Sequence, residues 1–111
     1  MIVIGTNDYD MYVAAVEIVK LQGGKVVVNE GKVIAELPLP IAGLMSDKSF
    51  EYVSENYFNL TKAAHSLGCT IDDPFMTMGF LSLPVIPELK VTDKGLFDTN
   101  KMEFADMFNV D

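Results

Sequence analysis

The sequence has 111 residues, half of them hydrophobic, and 16 acidic side chains against 8 basic ones give a net charge of −8. All eight basic residues are lysines, so the chain lacks the bidentate arginine contacts typical of phosphate and guanine recognition, and its charge disfavours nucleic acid and anionic membranes. One cysteine excludes an internal disulfide framework, and the composition predicts a single cytoplasmic domain over residues 1–111.

The N-terminal part predicts a strand followed by a helix. Residues 2–4 (Ile-Val-Ile) form an unalternated apolar run that ends at a glycine, as in a strand buried on both faces. Residues 8–22 follow a possible cap at Asn7 or Asp8 and end at a Gly-Gly pair, which predicts a helix. Its few polar positions predict that this helix is largely covered.

A hairpin comes next. Residues 25–28 and 32–37 flank Asn29-Glu30-Gly31, with Gly31 placed to take a positive φ. The second arm continues into the run LPLPIAGLMSD at residues 37–47. Its alternating prolines block a central strand, and an apolar loop without regular hydrogen bonds is costly in water. This run is therefore either a site or domain contact, or a buried connector within the domain's own core.

The longest predicted helix begins at Ser46 or Asp47 and ends near Leu67, before Gly68. Apolar residues at spacings of three and four predict one buried stripe. Its members are Phe50, Val53, Tyr57, Leu60, Ala64 and Leu67.

The C-terminal part predicts shorter elements. Asp72-Asp73-Pro74 resembles a helix start and favours a helix over a buried strand for residues 75–83. A second proline-spaced loop, a second hairpin, a last strand and a loose tail follow, at residues 83–87, 89–98, 102–104 and 105–111. The predicted fold class is α+β, a single compact domain in which a small mixed sheet with β-hairpins packs against two main helices.

Residue chemistry favours a non-catalytic domain. The chain has no metal-ligand spacing of histidine, cysteine or carboxylate residues, so we assign no catalytic and no metal-binding residue. His65 is the single histidine and lies off the apolar stripe, and Cys69 follows a helix C-terminus, where the dipole disfavours a thiolate. Helix capping and core packing explain the Asp72-Asp73 pair and the Met- and Phe-rich segments.

Three stretches together carry a resemblance to a known family. They are IVIGTND at residues 2–8, LPLPIAGLMSD at residues 37–47, and DPFMT through LPVIPELKVTDKGL at residues 73–96. In the same order and spacing, they resemble the C-terminal domain of bacterial and archaeal adenine deaminases. The resemblance implies part of an amidohydrolase that converts adenine to hypoxanthine with a metal-activated water.

The resemblance also implies what lies outside these 111 residues. The catalytic barrel and its ligands for manganese or iron are absent, so we expect no cofactor in this chain and no deamination by it alone. The expected partner is an amidohydrolase barrel domain or subunit, and this chain would cover or shape the barrel active site or build the subunit interface. We also expect a homo-oligomer. Polar and apolar groups in the matching loops are candidate substrate-binding or interdomain residues: Met45, Ser46, Asp47, Phe75, Met76 and Thr77. The alternative is a free-standing binding or regulatory module that has lost the enzyme domain.

Overall fold

The computed structural model describes residues 1–106 and 108, and this part of the chain is a mixture of helices and antiparallel strands. In order these are α1 (Asp8–Leu21), β1 (Gly24–Asn29), β2 (Lys32–Pro38), α2 (Phe50–Ser66), α3 (Pro74–Leu81), β3 (Leu89–Thr92), β4 (Gly95–Asp98) and β5 (Glu103–Phe104). The predicted α+β class is confirmed. The chain forms two compact units, one of residues 3–74 with Met1, the other of Ile2 with the residues from Phe75 onward.

Helix α1 begins and ends with local hydrogen bonds that its sequence supplies. The Asn7 side chain accepts a hydrogen bond from the N–H of Asp10 at 2.8 Å, which satisfies one of the free donors of the first turn. At the other end Gln22 takes the left-handed conformation, φ 57°, and its N–H donates to the carbonyl of Val19. The helix over residues 8–22 is thus confirmed.

The hairpin of β1 and β2 is also confirmed. Its two-residue turn, Glu30-Gly31, has positive φ at both positions (51° and 72°), which matches the twist of the flanking strands. Gly24 lies opposite Pro38, and the register shifts between Val27 and Val28. Both strands of this two-stranded sheet are edge strands. Proline is tolerated in β2 because an edge strand does not need every backbone N–H for pairing.

The two helices of the first unit pack on this sheet, α1 mainly against β1 and α2 mainly against β2. The centre of the predicted α2 stripe is the most buried part, with Leu60 0% exposed. Leu60 shares the core with Val27, Leu37 and Leu39. The stripe does not extend to the helix ends, because Phe50 and Leu67 remain exposed.

The second unit contains α3 and a three-stranded antiparallel sheet in the order β3-β4-β5. The helix predicted after Pro74 is confirmed, as are the second hairpin and the last strand. The Phe97 and Phe104 rings pack edge to face at 5.4 Å between centroids and join β4 to β5. Of the tail predicted to be loose, residues 107 and 109–111 lie outside the described residues.

Three expectations about the elements are wrong. Residues 2–4 form no strand, because each described strand pairs with a neighbour in sequence and the short β1–β2 hairpin is complete without them. The strands make two antiparallel sheets in place of one mixed sheet. Helix α2 starts at Phe50 with Ser49 as its cap, because the hydroxyl of Ser46 instead accepts the N–H of Lys48 in a separate turn.

Helix α1 is also less covered than its composition predicts. No residue of α1 is fully buried, and Tyr9, Tyr12 and Val19 are each 66% exposed. Two strands are too narrow to cover a mostly apolar helix from more than one side. The first unit therefore presents part of this apolar helix to solvent.

Candidate functional site

The proline-rich run at residues 37–47 divides into a buried part and an exposed part. Leu37 and Leu39 are 1% and 7% exposed and belong to the core of the first unit. Beyond Pro40 the chain turns outward, and Leu44 is 77% exposed. The buried connector therefore describes the first half of the run. The second half is exposed, and its role as a site or domain contact stays a prediction.

The exposed half forms a small closed turn, which we call the 41–45 tip. Ile41 and Met45 exchange backbone hydrogen bonds at 3.1 Å in both directions, and Ala42 and Gly43 between them have positive φ. The tip is held against the end of α1, where a Cβ on Gly43 would lie 3.8 Å from Cα of Gly23. The tip thus exposes apolar side chains on a backbone that two hydrogen bonds between Ile41 and Met45 stabilise.

Three of the predicted site residues lie at the end of this tip. Met45 is exposed, and the hydroxyl of Ser46, which is half-buried, accepts the N–H of Lys48 at 3.1 Å. Asp47 forms an ion pair of 3.1 Å with Lys48, and both side chains are more than half exposed. Such a surface pair contributes little to stability, so the Asp47 carboxylate remains accessible to a partner.

The other predicted site residues, Phe75, Met76 and Thr77, occupy the first turns of α3 in the second unit. Phe75 is half-buried, whereas Met76 and Thr77 are exposed. The six candidates are thus distributed over both units, three in each. Their role in binding stays a prediction.

A cluster of three titratable groups lies inside the first unit, and sequence reasoning missed it. Tyr57 of α2 donates its hydroxyl to Oδ1 of Asp73 at 2.5 Å. Nζ of Lys25, at the start of β1, lies 4.3 Å from the centre of the Tyr57 ring. The signals were present separately, since Tyr57 belonged to the apolar stripe and Asp73 to a helix start. Only the fold brings them together.

The electrostatics of this cluster favour a structural role. Burial, followed by the hydrogen bond and the charge of Asp73, raises the pKa of Tyr57 to about 12, so the phenol remains a donor at neutral pH. Burial lowers the pKa of Lys25, and the negative charge of Asp73 opposes that shift. The Tyr57 hydroxyl stays protonated and donates a hydrogen bond to the Asp73 carboxylate. This bond links α2 to the segment before α3.

His65 makes a second hydrogen bond between α2 and the segment before α3. Its Nε2 lies 2.8 Å from the carbonyl oxygen of Ile71, and this geometry lets the ring nitrogen donate to that oxygen. Between them, Gly68 N–H donates to His65 and Cys69 N–H donates to Ala64, the pattern that closes a helix at a left-handed glycine. The single histidine and the single cysteine thus belong to the end of α2.

Asp10 likewise links two elements, α1 and the turn between β1 and β2. Its carboxylate accepts the N–H of Gly31 at 2.6 Å, the N–H of Glu30 at 3.2 Å and the side-chain amide of Asn7 at 3.0 Å. These donors, Asn7 first, lower the pKa of Asp10. The contact of Asp10 with the hairpin turn joins residues 20 and 21 positions apart, so it follows from the tertiary structure.

The second proline-spaced loop is fastened by two buried polar residues. The Thr99 hydroxyl donates to the carbonyl of Pro84 at 2.8 Å, and the ammonium group of Lys90 donates to the carbonyl of Pro87 at 3.2 Å. These bonds satisfy carbonyl groups that lie outside the strands and take no part in strand pairing. Val85 at the loop's centre remains exposed.

An open groove of about 500 Å³ lies between α2 and β2. Its lining mixes the small apolar side chains Ala35 and Ala63 with the polar groups of Asn59, Lys62 and Glu36. Residues 1–106 and 108 contain no group of three histidine, cysteine or acidic side chains arranged to hold a metal ion. Within the same residues, no helix is long and apolar enough to cross a membrane.

Comparison with known proteins gives a match over nearly the whole chain. The family model described as adenine deaminase C-terminal domain matches residues 1–103. A protein from Kosmotoga olearia named adenine deaminase is 51% identical over 108 residues, which cover 97% of this chain and 19% of that protein.

Two further relatives carry the same name. One from Brucella abortus is 50% identical over 103 residues, covering 93% of this chain and 18% of the relative. One from Methylobacterium nodulans is 54% identical over 100 residues, covering 90% and 18%. The chain therefore spans about a fifth of the length of the curated relatives it matches.

Proposed function

Because this chain belongs to the adenine deaminase C-terminal domain family, we propose that it is the non-catalytic part of an adenine deaminase and that it covers or shapes the active site of an amidohydrolase barrel. The observation that supports this most directly is the coverage. The match takes in 97% of the chain but only 19% of the Kosmotoga olearia relative, so most of that enzyme corresponds to nothing here.

In this proposal, metal chemistry belongs to the part of the enzyme outside these residues. Manganese or iron would be held there and would activate the water that attacks adenine. The present chain would contribute contacts from the end of the 41–45 tip, through Met45, Ser46 and Asp47, and from the start of α3, through Phe75, Met76 and Thr77. The exposure of Met45 and Met76 supports a role in contacts with another body. Self-association of the longer protein stays a prediction.

The proposal is tested by activity in two preparations. The purified 111-residue chain, supplied with Mn²⁺ or Fe²⁺ and adenine, should release no ammonia and bind no stoichiometric metal. The Kosmotoga olearia relative lacking the segment that matches this chain should lose most of its turnover. Turnover by the chain alone, or full activity of the shortened relative, would overturn the proposal.

A further inference from the structure

An apolar stripe runs along the outer side of α1. Tyr9, Tyr12, Val16 and Val19 lie at spacings of three, seven and ten residues from the first, so at 100° per residue they fall within an arc of about 80°. Three of the four are 66% exposed, and Val16 is half-buried. We call these four residues the α1 stripe. Exposed tyrosines and valines in one row are typical of a contact surface.

The α1 stripe is held in place by the rest of the first unit. Asp10 joins the first turn of the helix to the N–H groups of Glu30 and Gly31. The Tyr9 ring lies over that turn, since a Cβ on Gly31 would come within 2.6 Å of its Cε1 atom. A partner that binds this surface therefore orders few new groups, which favours binding.

Its size and charge disfavour a second copy as the partner. A buried aromatic side chain contributes on the order of 150–250 Å², so the stripe offers roughly half of the ~800 Å² per partner found in stable free-standing complexes. Two copies would also each carry a net charge of −8 over the whole chain, and this mutual repulsion opposes their association. A surface this small binds well only when its partner is tethered nearby.

The longer relatives supply such a tether. A domain described as C-terminal follows the rest of its polypeptide, and in these relatives the rest is about four-fifths of the length. Helix α1, which carries Tyr9 and Tyr12, is the first helix or strand of the matched domain. It is therefore the element nearest in sequence to the part of those relatives that precedes the domain.

Resting on the proposed function, we infer that the α1 stripe docks on the part of the longer enzyme that precedes this domain. The acceptor is an apolar patch with hydrogen-bond acceptors at its rim for the two phenol hydroxyls. This assigns the α1 stripe, which no motif of the sequence singles out, as a further contact with the catalytic part, beside the 41–45 tip and the start of α3.

Hydroxyl-radical footprinting tests the assignment without using activity. The two samples are the 111-residue chain and the Kosmotoga olearia enzyme in which this chain replaces the matching segment. Oxidation of Tyr9 and Tyr12 should fall at least about fivefold in the long enzyme, as expected for side chains that lose water at a contact. Phe58, exposed on α2, should change little and serves as the internal control.

Variants separate docking from folding. Tyr12→Glu should leave the melting of the short chain unchanged and restore the oxidation of Tyr9 in the long enzyme, whereas Tyr52→Glu on α2 should not restore it. Unchanged oxidation of Tyr9 and Tyr12 would overturn the inference even if the domain is essential for activity. A dimer of the short chain that dissociates on Tyr12→Glu, seen by sedimentation equilibrium, would overturn the assigned partner.

Discussion

At the scale of single residues, polar side chains join elements that are distant in sequence. Asp10 joins α1 to the hairpin turn, and Tyr57 with Asp73 joins α2 to the segment before α3. In each case one side chain satisfies backbone or side-chain groups that the secondary structure leaves unpaired. Removing the Asp10 carboxylate or the Tyr57 hydroxyl should destabilise the first unit without changing its secondary structure.

Asp10→Asn should lower the melting temperature at pH 7, because the uncharged amide loses charge-assisted bonds from Asn7, Glu30 and Gly31. The pKa of Asp10 is lowered in the folded chain from its ordinary 3.8, so its stabilisation is full above that value and is lost as the pH falls through the folded pKa. Thermal melts by circular dichroism from pH 7 to pH 2 should show the wild type and variant converging in acid.

The matched control for Asp10 is Asp47→Asn, which removes a carboxylate from an exposed pair with Lys48. It should leave the melting temperature almost unchanged across the same range. An equal effect of both substitutions would contradict the role given to Asp10.

Tyr57→Phe should destabilise the chain by about 1.5–3 kcal/mol, because the half-buried Asp73 carboxylate loses a short hydrogen bond. The raised pKa of Tyr57 gives the opposite pH dependence to Asp10. Its stabilisation is present below pH 10 and is lost as the pH rises through about 12. Urea titration gives the stability, and ultraviolet absorbance should show one phenol ionising near pH 12 in the wild type only.

Tyr52→Phe is the control for this effect, since Tyr52 lies on the same helix with a more exposed ring. Its substitution should change stability by less than about 0.5 kcal/mol, as is usual at the surface. Comparable losses from the two tyrosines would show that the bond to Asp73 contributes nothing specific.

At the scale of elements, the junction of α1, β1 and the 41–45 tip depends on backbone contact. Gly23 has φ 125°, its carbonyl accepts the N–H of Leu39, and a Cβ at this position would overlap Cα of Gly43. The apolar tip can therefore lie this close to the helix end only while position 23 lacks a side chain.

Gly23→Ala should destabilise by about 2–4 kcal/mol, combining a positive φ with steric overlap of the backbone. Gly68→Ala is the control, because Gly68 also has a positive φ, 95°, but a Cβ there would meet nothing within 4 Å. It should cost about 1 kcal/mol from φ alone. Urea titrations of the two variants that gave equal losses would rule out the close contact with Gly43.

At the scale of the whole molecule, burial is low for so apolar a chain. The described hydrophobic core consists of Val27, Leu37, Leu39 and Leu60, whereas large apolar side chains remain exposed on all three helices. Such a surface agrees with the proposed function, in which this domain contacts the rest of a longer enzyme. Residues 1–111 are predicted to form a single domain, and the way in which the two compact units unfold tests this prediction.

We expect one cooperative transition for both units if residues 1–111 are a single domain. Gly79→Ala should stabilise α3 of the second unit by about 0.5–1 kcal/mol, since Gly79 is helical and a Cβ there would meet nothing within 4 Å. Under one transition, this variant and Tyr57→Phe should shift the same midpoint in opposite directions. Hydrogen exchange that showed each variant affecting only its own unit would contradict the single domain.

Local sequence signals were enough to predict most elements of this protein. The caps, the Glu30-Gly31 turn, Gly68 and Pro74 act within a few residues, so α1, both hairpins and α3 follow from short-range chemistry. The family resemblance was equally a property of the sequence and is confirmed over residues 1–103. Residues 2–4 failed as a strand because a strand needs a neighbour, and no local pattern specifies one.

Only the tertiary structure decided which surfaces are buried and which polar groups meet. Residues 37–45 are all apolar in sequence, yet Leu37 lies in the core and Leu44 in solvent. The Tyr57–Asp73 bond and the contact of Asp10 with Gly31 join residues 16 and 21 positions apart. Exposure and contact depend on where elements pack, and packing is set by the whole chain rather than by neighbours in sequence.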